Sequence, residues 1–259
     1  MKKTFLIILL ISSLLFIDNS QAQPDWFWQN PLPQGNSLNA VKFINTSTGW
    51  AVGDLGTILK TINGGITWIS QTSGTTYHLR GVSFTDANTG TTVGWDGTIL
   101  RTTNSGTNWT LQNSGTTYDL DGVSFTDANN GAVVGGGGLI LRTTNGGINW
   151  ISQSIGATNH LYGVSFTDVN TGTAVGFGGM IIKTTNGGTN WISQPSGTIH
   201  TIYGVFFTNA NTGTAVGDGG IILRTTNGGR KWVSQTRGKT NDLGSVSFID
   251  ANTETVVGM

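Results

Sequence analysis

The segment Thr61-Ile62-Asn63-Gly64-Gly65-Ile66-Thr67-Trp68 returns as TTNSGTNW at 102–109, TTNGGINW at 143–150, TTNGGTNW at 184–191 and TTNGGRKW at 225–232, each copy 41 residues after the last. Phenylalanine keeps the same interval at Phe43, Phe84, Phe125, Phe166, Phe207 and Phe248, and glycine at Gly53, Gly94, Gly135, Gly176, Gly217 and Gly258. A repeat of this length, made of strand and turn signals, is the mark of a β-propeller with one four-stranded blade per repeat. The expected fold is therefore an all-β propeller of five complete blades and an incomplete sixth.

The second repeat reads strand by strand. Leu79–Thr85 is expected as strand a, Thr91–Gly94 as strand b, Thr98–Thr102 as strand c and Asn108–Gln112 as strand d. Asp86-Ala87-Asn88-Thr89-Gly90 between a and b is a turn, because Asp and Asn cap their own backbone and Gly takes positive φ. The recurring Phe and Trp read as packing between blades. Each fully buried aromatic would contribute roughly 4–6 kcal/mol as an upper bound from area.

The TxNxGxxW segments resemble the Asp-box (BNR) turn, Ser/Thr-x-Asp-x-Gly-x-Thr-Trp, of sialidase-type propellers. Together with Gly49-Trp50-Ala51-Val52-Gly53 and Gly56-Thr57-Ile58-Leu59-Lys60-Thr61, they are similar to the photosystem II stability/assembly factor-like propellers over residues 26–259. That resemblance implies a non-catalytic, chaperone-like scaffold in which the box is a structural device. One departure is uniform: the box Asp is Asn at Asn63, Asn104, Asn145, Asn186 and Asn227. An Asn oxygen can accept the same backbone hydrogen bonds, so the turn should survive.

A sialidase-like site would imply an Arg cluster, a Tyr–Glu pair and an Asp acid. Here Lys60, Arg101, Arg142, Lys183 and Arg224 share one repeat position on strand c, and the chain holds a single Glu, Glu254. Asp86, Asp127, Asp168 and Asp250 share one turn position with Asn45 and Asn209, which reads as an Asx-turn and not as a calcium loop. Gly135–Gly138 precedes no helix that could receive a phosphate. The three His residues lack metal-ligand spacing. No catalytic residue, metal or cofactor is expected.

Thirteen basic and thirteen acidic residues cancel, and only 10% of residues are charged, so a nucleic-acid partner is not expected. Lys2-Lys3, the apolar run Phe5–Ile17 and Ser20-Gln21-Ala22 read as a signal peptide over 1–22, leaving a single domain over 23–259 and no membrane span after cleavage. The chain has no Cys, hence no lipid-anchor or disulfide chemistry. Export to the periplasm, surface or exterior of a bacterium is the expectation.

Blades that otherwise agree differ in two loops, d–a and b–c, which in an up-and-down blade open on one face. The candidate binding residues there are Tyr77, His78, Arg80, Trp95, Asp96, Tyr118, Asp119, Asp121, His160, Tyr162, Phe177 and Tyr203. Loops on a rigid frame carry function, and aromatics beside acidic groups suit protein or sugar recognition. A protein partner is expected first; a glycan-binding or glycoside-hydrolysing role and a surface-adhesion role are the alternatives. Trp26-Phe27-Trp28-Gln29 matches strand d, while strand c of the sixth blade is missing. Either the chain is a C-terminally truncated piece of a longer protein or a partner donates the strand.

Overall fold

A computed structural model describes residues 35–156, 158–235, 241–248 and 254–258. Residues 1–22, read above as a signal peptide, the segment Trp26–Gln29 and Asp250 lie outside the described residues. Strands β1 (Leu38–Phe43), β2 (Gly49–Gly53), β3 (Ile58–Thr61) and β4 (Ile69–Gln71) form the first antiparallel sheet in chain order. The second holds β5 (Leu79–Phe84), β6 (Gly90–Gly94), β7 (Ile99–Thr102) and β8 (Thr110–Gln112). The third is β9 (Leu120–Phe125), β10 (Gly131–Gly135), β11 (Ile140–Thr143) and β12 (Ile151–Gln153). The fourth is β13 (Leu161–Phe166), β14 (Gly172–Gly176), β15 (Ile181–Thr184) and β16 (Ile192–Ser193). The fifth is β17 (Ile202–Phe207), β18 (Gly213–Gly217), β19 (Ile222–Thr225) and β20 (Val233–Ser234), and β21 (Leu243–Phe248) pairs with β22 (Glu254–Gly258) in a two-stranded sheet. These are the expected propeller blades. The all-β expectation needs one refinement: four of the b–c loops are short 3-10 turns.

The a strands β1, β5, β9, β13, β17 and β21 neighbour one another in that order. Glycine makes this approach feasible. A Cβ on Gly81, Gly122 or Gly163 would lie 2.8, 2.9 or 2.7 Å from the carbonyl oxygen of Asp121, Tyr162 or Tyr203 in the next blade. Strands b and c fill the space between blades, as where Val93 and Ile99 pack with Leu120, Val133 and Leu141. The b strands are therefore buried along their whole length instead of alternating.

The expectation of inter-blade burial holds for Phe84, stacked on Trp50 of the preceding blade at 3.6 Å, and for Phe207 and Trp232, but not for every repeated aromatic. Each Trp meets the Phe of its own blade edge-on, as Phe84–Trp109 and Phe125–Trp150 do at 6.0 Å. Trp109, Trp150 and Trp191 are only half-buried, so the full-burial energy is not reached. Their link to the preceding blade includes a polar contact. Trp150 Nε1 donates to Gln112 Oε1 at 3.3 Å, and the Gln112 amide donates to the Gly146 carbonyl at 3.1 Å. Gln71 and Gln153 repeat the contact with Trp109 and Trp191.

The box turn closes with Asn as expected. Thr102 Oγ1 accepts the Gly106 N–H at 2.9 Å, and Asn104 Oδ1 accepts the Asn108 N–H at 2.9 Å. The strand-c cations also bridge blades. Arg142 donates to the carbonyls of Gly131 and Thr143 and, at 3.0 Å, to Val169 of the next blade, with its guanidinium 5.1 Å from the Phe166 ring. Arg101 likewise donates to the Ala128 carbonyl. In the a–b turns Asp86 Oδ1 accepts the N–H groups of Asn88 and Thr89 at 2.7 and 2.9 Å, the expected Asx geometry.

The two end faces are uncovered among the described residues. Leu38 is 45% exposed where Leu79 has no exposure, and Val257 is 57% exposed where Val93 has none.

Candidate functional site

Each a strand begins with a β-bulge. The pairing shifts between Leu79 and Gly81, between Leu161 and Gly163, and between Ile202 and Gly204, with matching shifts in β1, β9 and β21. The residue skipped by the ladder is Asn39, Arg80, Asp121, Tyr162, Tyr203 or Gly244. Six blades thus place five residue types at one repeated irregularity, tyrosine twice. Bulges re-aim side chains beside functional sites, and here the skipped residues adjoin the d–a and b–c loops.

Those two loops do share one face. His78 Nδ1 of the first d–a loop lies 2.8 Å from Asp54 Oδ1 of the first b–c loop, and Asn39 Nδ2 donates to the same oxygen at 2.9 Å. These contacts, the His78 one foremost, hold the Asp54 carboxyl below its usual pKa. The His78 ring packs on Trp95 at 4.2 Å, and Arg80 lies 5.3 Å from the Trp95 ring. The Asp96 N–H donates to Asp119 Oδ1 at 3.0 Å. The Tyr77 hydroxyl is hydrogen-bonded to Asp96, which raises the Tyr77 pKa.

Further round the face, His160 Nε2 meets Asp121 Oδ2 at 2.7 Å and its ring stacks on Tyr162 at 4.5 Å. Burial raises the Asp121 pKa, with the His160 contact opposing it. Tyr162 meets Tyr203 edge-on at 5.2 Å. Tyr203, hydrogen-bonded to Asp218, has its pKa pushed up to about 12. The Asp242 carboxylate accepts the Gly219 N–H at 2.8 Å. Tyr118 lies beside the side-chain-free Gly136-Gly137 turn, within 3.3 Å of where a Cβ on Gly137 would stand.

Ten of the twelve sequence-predicted residues join this network through side chains, and Tyr118 joins through its carbonyl, which accepts the Gly97 N–H at 3.0 Å. Phe177 joins through its backbone, its N–H donating to the His160 carbonyl at 2.9 Å, and its ring is exposed. The sequence-based list omitted Asp54, Asp218, Asp242 and Asn39, which hold its members in place. Asp54 and Asp218 occupy the same b–c position as Trp95 and Phe177, so repeat register alone could have added them.

The b–c turn needs a left-handed residue at its centre. Gly137, Gly178 and Gly219 fill that position with φ of 65°, 69° and 64°, whereas Leu55 and Asp96 adopt φ of 54° and 53°. Among the described residues no group of three or more His, Cys, Asp or Glu is placed to hold a metal ion. The face offers aromatic surface, carboxylates and His–Asp pairs on a rigid frame, groups suited to binding.

A family model described as photosynthesis system II assembly factor YCF48 matches residues 19–114, 71–157, 110–198 and 149–238. The fold is similar to a solved structure of YCF48 bound to D1 peptide, with TM-score 0.61, 20% identity, and 88% of this chain and 92% of that one covered. YCF48 from Cyanidioschyzon merolae gives a TM-score of 0.58 at 21% identity over 88% and 94% of the two chains. The GH74 xyloglucanase from Xanthomonas campestris gives 0.68 at 12% identity, covering 85% of this chain but 43% of the enzyme. No curated protein sequence matches.

Proposed function

Because the chain belongs to the family of the photosynthesis system II assembly factor YCF48, we propose that it is a non-catalytic scaffold holding another protein on its d–a and b–c loop face. The carrying observation is the inner ring Asn39, Arg80, Asp121, Tyr162, Tyr203 and Gly244, one residue per blade. These positions differ where the surrounding scaffold repeats, as expected of a surface shaped for one partner. The solved complex of YCF48 with a D1 peptide supports a protein segment as the ligand class.

The test is capture by the immobilised full chain from envelope extracts of the source cell. One protein should be retained by the native chain and lost with Trp95→Ala and Tyr118→Ala; equal retention by the variants would place the site elsewhere. Aromatic rings beside carboxylates also favour a second reading, a glycan-active or adhesive protein. Hydrolysis of aryl glycosides that vanished in Asp96→Asn or Asp121→Asn would establish that reading and overturn the scaffold. We also propose export, through the leader at 1–22. Mass spectrometry of the mature protein should place its first residue at Gln23.

A further inference from the structure

We propose that the loop face docks a basic protein segment, whose Lys or Arg side chains lie among the aromatic rings and carboxylates of the first three blades. This rests on the protein-scaffold reading above and names the chemistry of the partner. Two observations carry it: an exposed apolar strip, and a charge that selects what covers it.

Leu55, Tyr77, Trp95, Tyr118 and Phe177 are 59, 46, 37, 59 and 57% exposed on this one face. Leu55, Tyr77, Trp95 and Tyr118 belong to successive b–c and d–a loops of the first three blades, which lie against one another, and Phe177 stands further round in the fourth. Asp54 meets His78, His78 packs on Trp95, and the Asp96 N–H reaches Asp119. Large apolar groups on a rim of polar ones mark interaction surfaces.

The charge on the strip is one-sided. Asp54, Asp96, Asp119, Asp121, Asp218 and Asp242 lie on this face, against Arg80 as the Lys or Arg among the described residues there. Arg237 and Lys239 lie outside the described residues. Arg80 lies over Trp95 and in the field of Asp54 and Asp121. Its charge offsets that of one carboxylate there, so the described face keeps an acidic excess. The chain as a whole has zero formal net charge. The balancing cations include Lys60, Arg101, Arg142 and Lys183 of strand c, which are held in contacts between blades. Among the described residues the loop face is therefore acidic, and that charge coincides with its exposed aromatic residues. Carboxylates repel an acidic segment and attract a basic one, while the electron-rich ring faces favour a cation.

The test uses the full chain and three fluorescent peptides of equal length, one rich in lysine, one in glutamate and one uncharged, read by anisotropy. The lysine peptide should bind best. Its affinity should fall about tenfold between roughly 50 and 500 mM salt, as screening predicts. Asp96→Asn and Asp119→Asn should each weaken it several-fold while Asp86→Asn, on the a–b turn, does not; circular dichroism verifies that all three fold. Equal binding of the three peptides, or preference for the glutamate peptide, overturns the charge assignment. In that event retained dependence of partner capture on Trp95 and Tyr118 would leave the scaffold reading standing. Binding of an uncharged oligosaccharide, or self-association seen by sedimentation, with no lysine preference, would identify a different occupant and overturn the proposal.

Discussion

Leu55 and Asp96 hold backbone conformations that three other blades give to glycine. A left-handed residue other than glycine costs about 1–2 kcal/mol, while glycine adds unfolded-chain entropy worth about 0.4–1 kcal/mol. Leu55 is exposed, so its replacement sacrifices little burial. Leu55→Gly should therefore stabilise the protein by up to about 1 kcal/mol in denaturant unfolding, and should weaken partner capture if the exposed leucine serves the docking face. Destabilisation would instead reveal a compensating contact of the leucine. The identities of these residues were legible in the sequence as breaks in the repeat; their strain was not, because φ at a turn centre depends on how the strands on either side are registered.

At the scale of the element, the stability of a blade depends on its link to the next as much as on its own ladder. Gln112 makes two hydrogen bonds to the following box, to Trp150 Nε1 and the Gly146 carbonyl. At about 0.5–1.5 kcal/mol each, their loss in Gln112→Ala should destabilise by about 1–3 kcal/mol. Leu111→Ala alters a side chain that is 69% exposed, and should stay within about 0.5 kcal/mol. Thermal unfolding distinguishes the two; equal effects would mean that the outer strand, not the Gln–Trp contact, joins the blades. The box and its asparagine were readable from sequence because a turn is a local hydrogen-bonding problem. The half-buried state of the tryptophans was not, since it depends on where neighbouring blades stop.

For the whole molecule, the repeated turns make acid stability a collective property. The backbone N–H groups of Asn88 and Asn129 hold the Asp86 and Asp127 carboxyls below 3.8. A depressed folded pKa contributes stability above the unfolded value, and that contribution is lost as pH falls through the folded value. Asp121, raised by burial, works in the opposite direction and favours the fold as it protonates. The pair Asp86→Asn and Asp127→Asn copies Asn45 and Asn209 of sister blades. It should leave the Tm near neutral pH nearly unchanged and flatten its decline between about pH 5 and pH 2. An unchanged acid profile would assign the decline to other carboxylates.

The sequence by itself determined the repeat length of a blade, the order of strands, the box turn and the face on which variation gathers. Each follows from periodicity or local turn chemistry, and 41-residue spacing leaves little freedom in either. It also placed Arg80, Asp121, Tyr162 and Tyr203 at one repeat position. Only the tertiary structure decided that this position is a bulge, that His78 reaches Asp54 and His160 reaches Asp121, and that Tyr203 pairs with Asp218. The reason is physical: a bulge appears only when two strands are laid in register, and these partners lie on different strands or in different blades. Packing about a common axis, and not any local signal, brings them together.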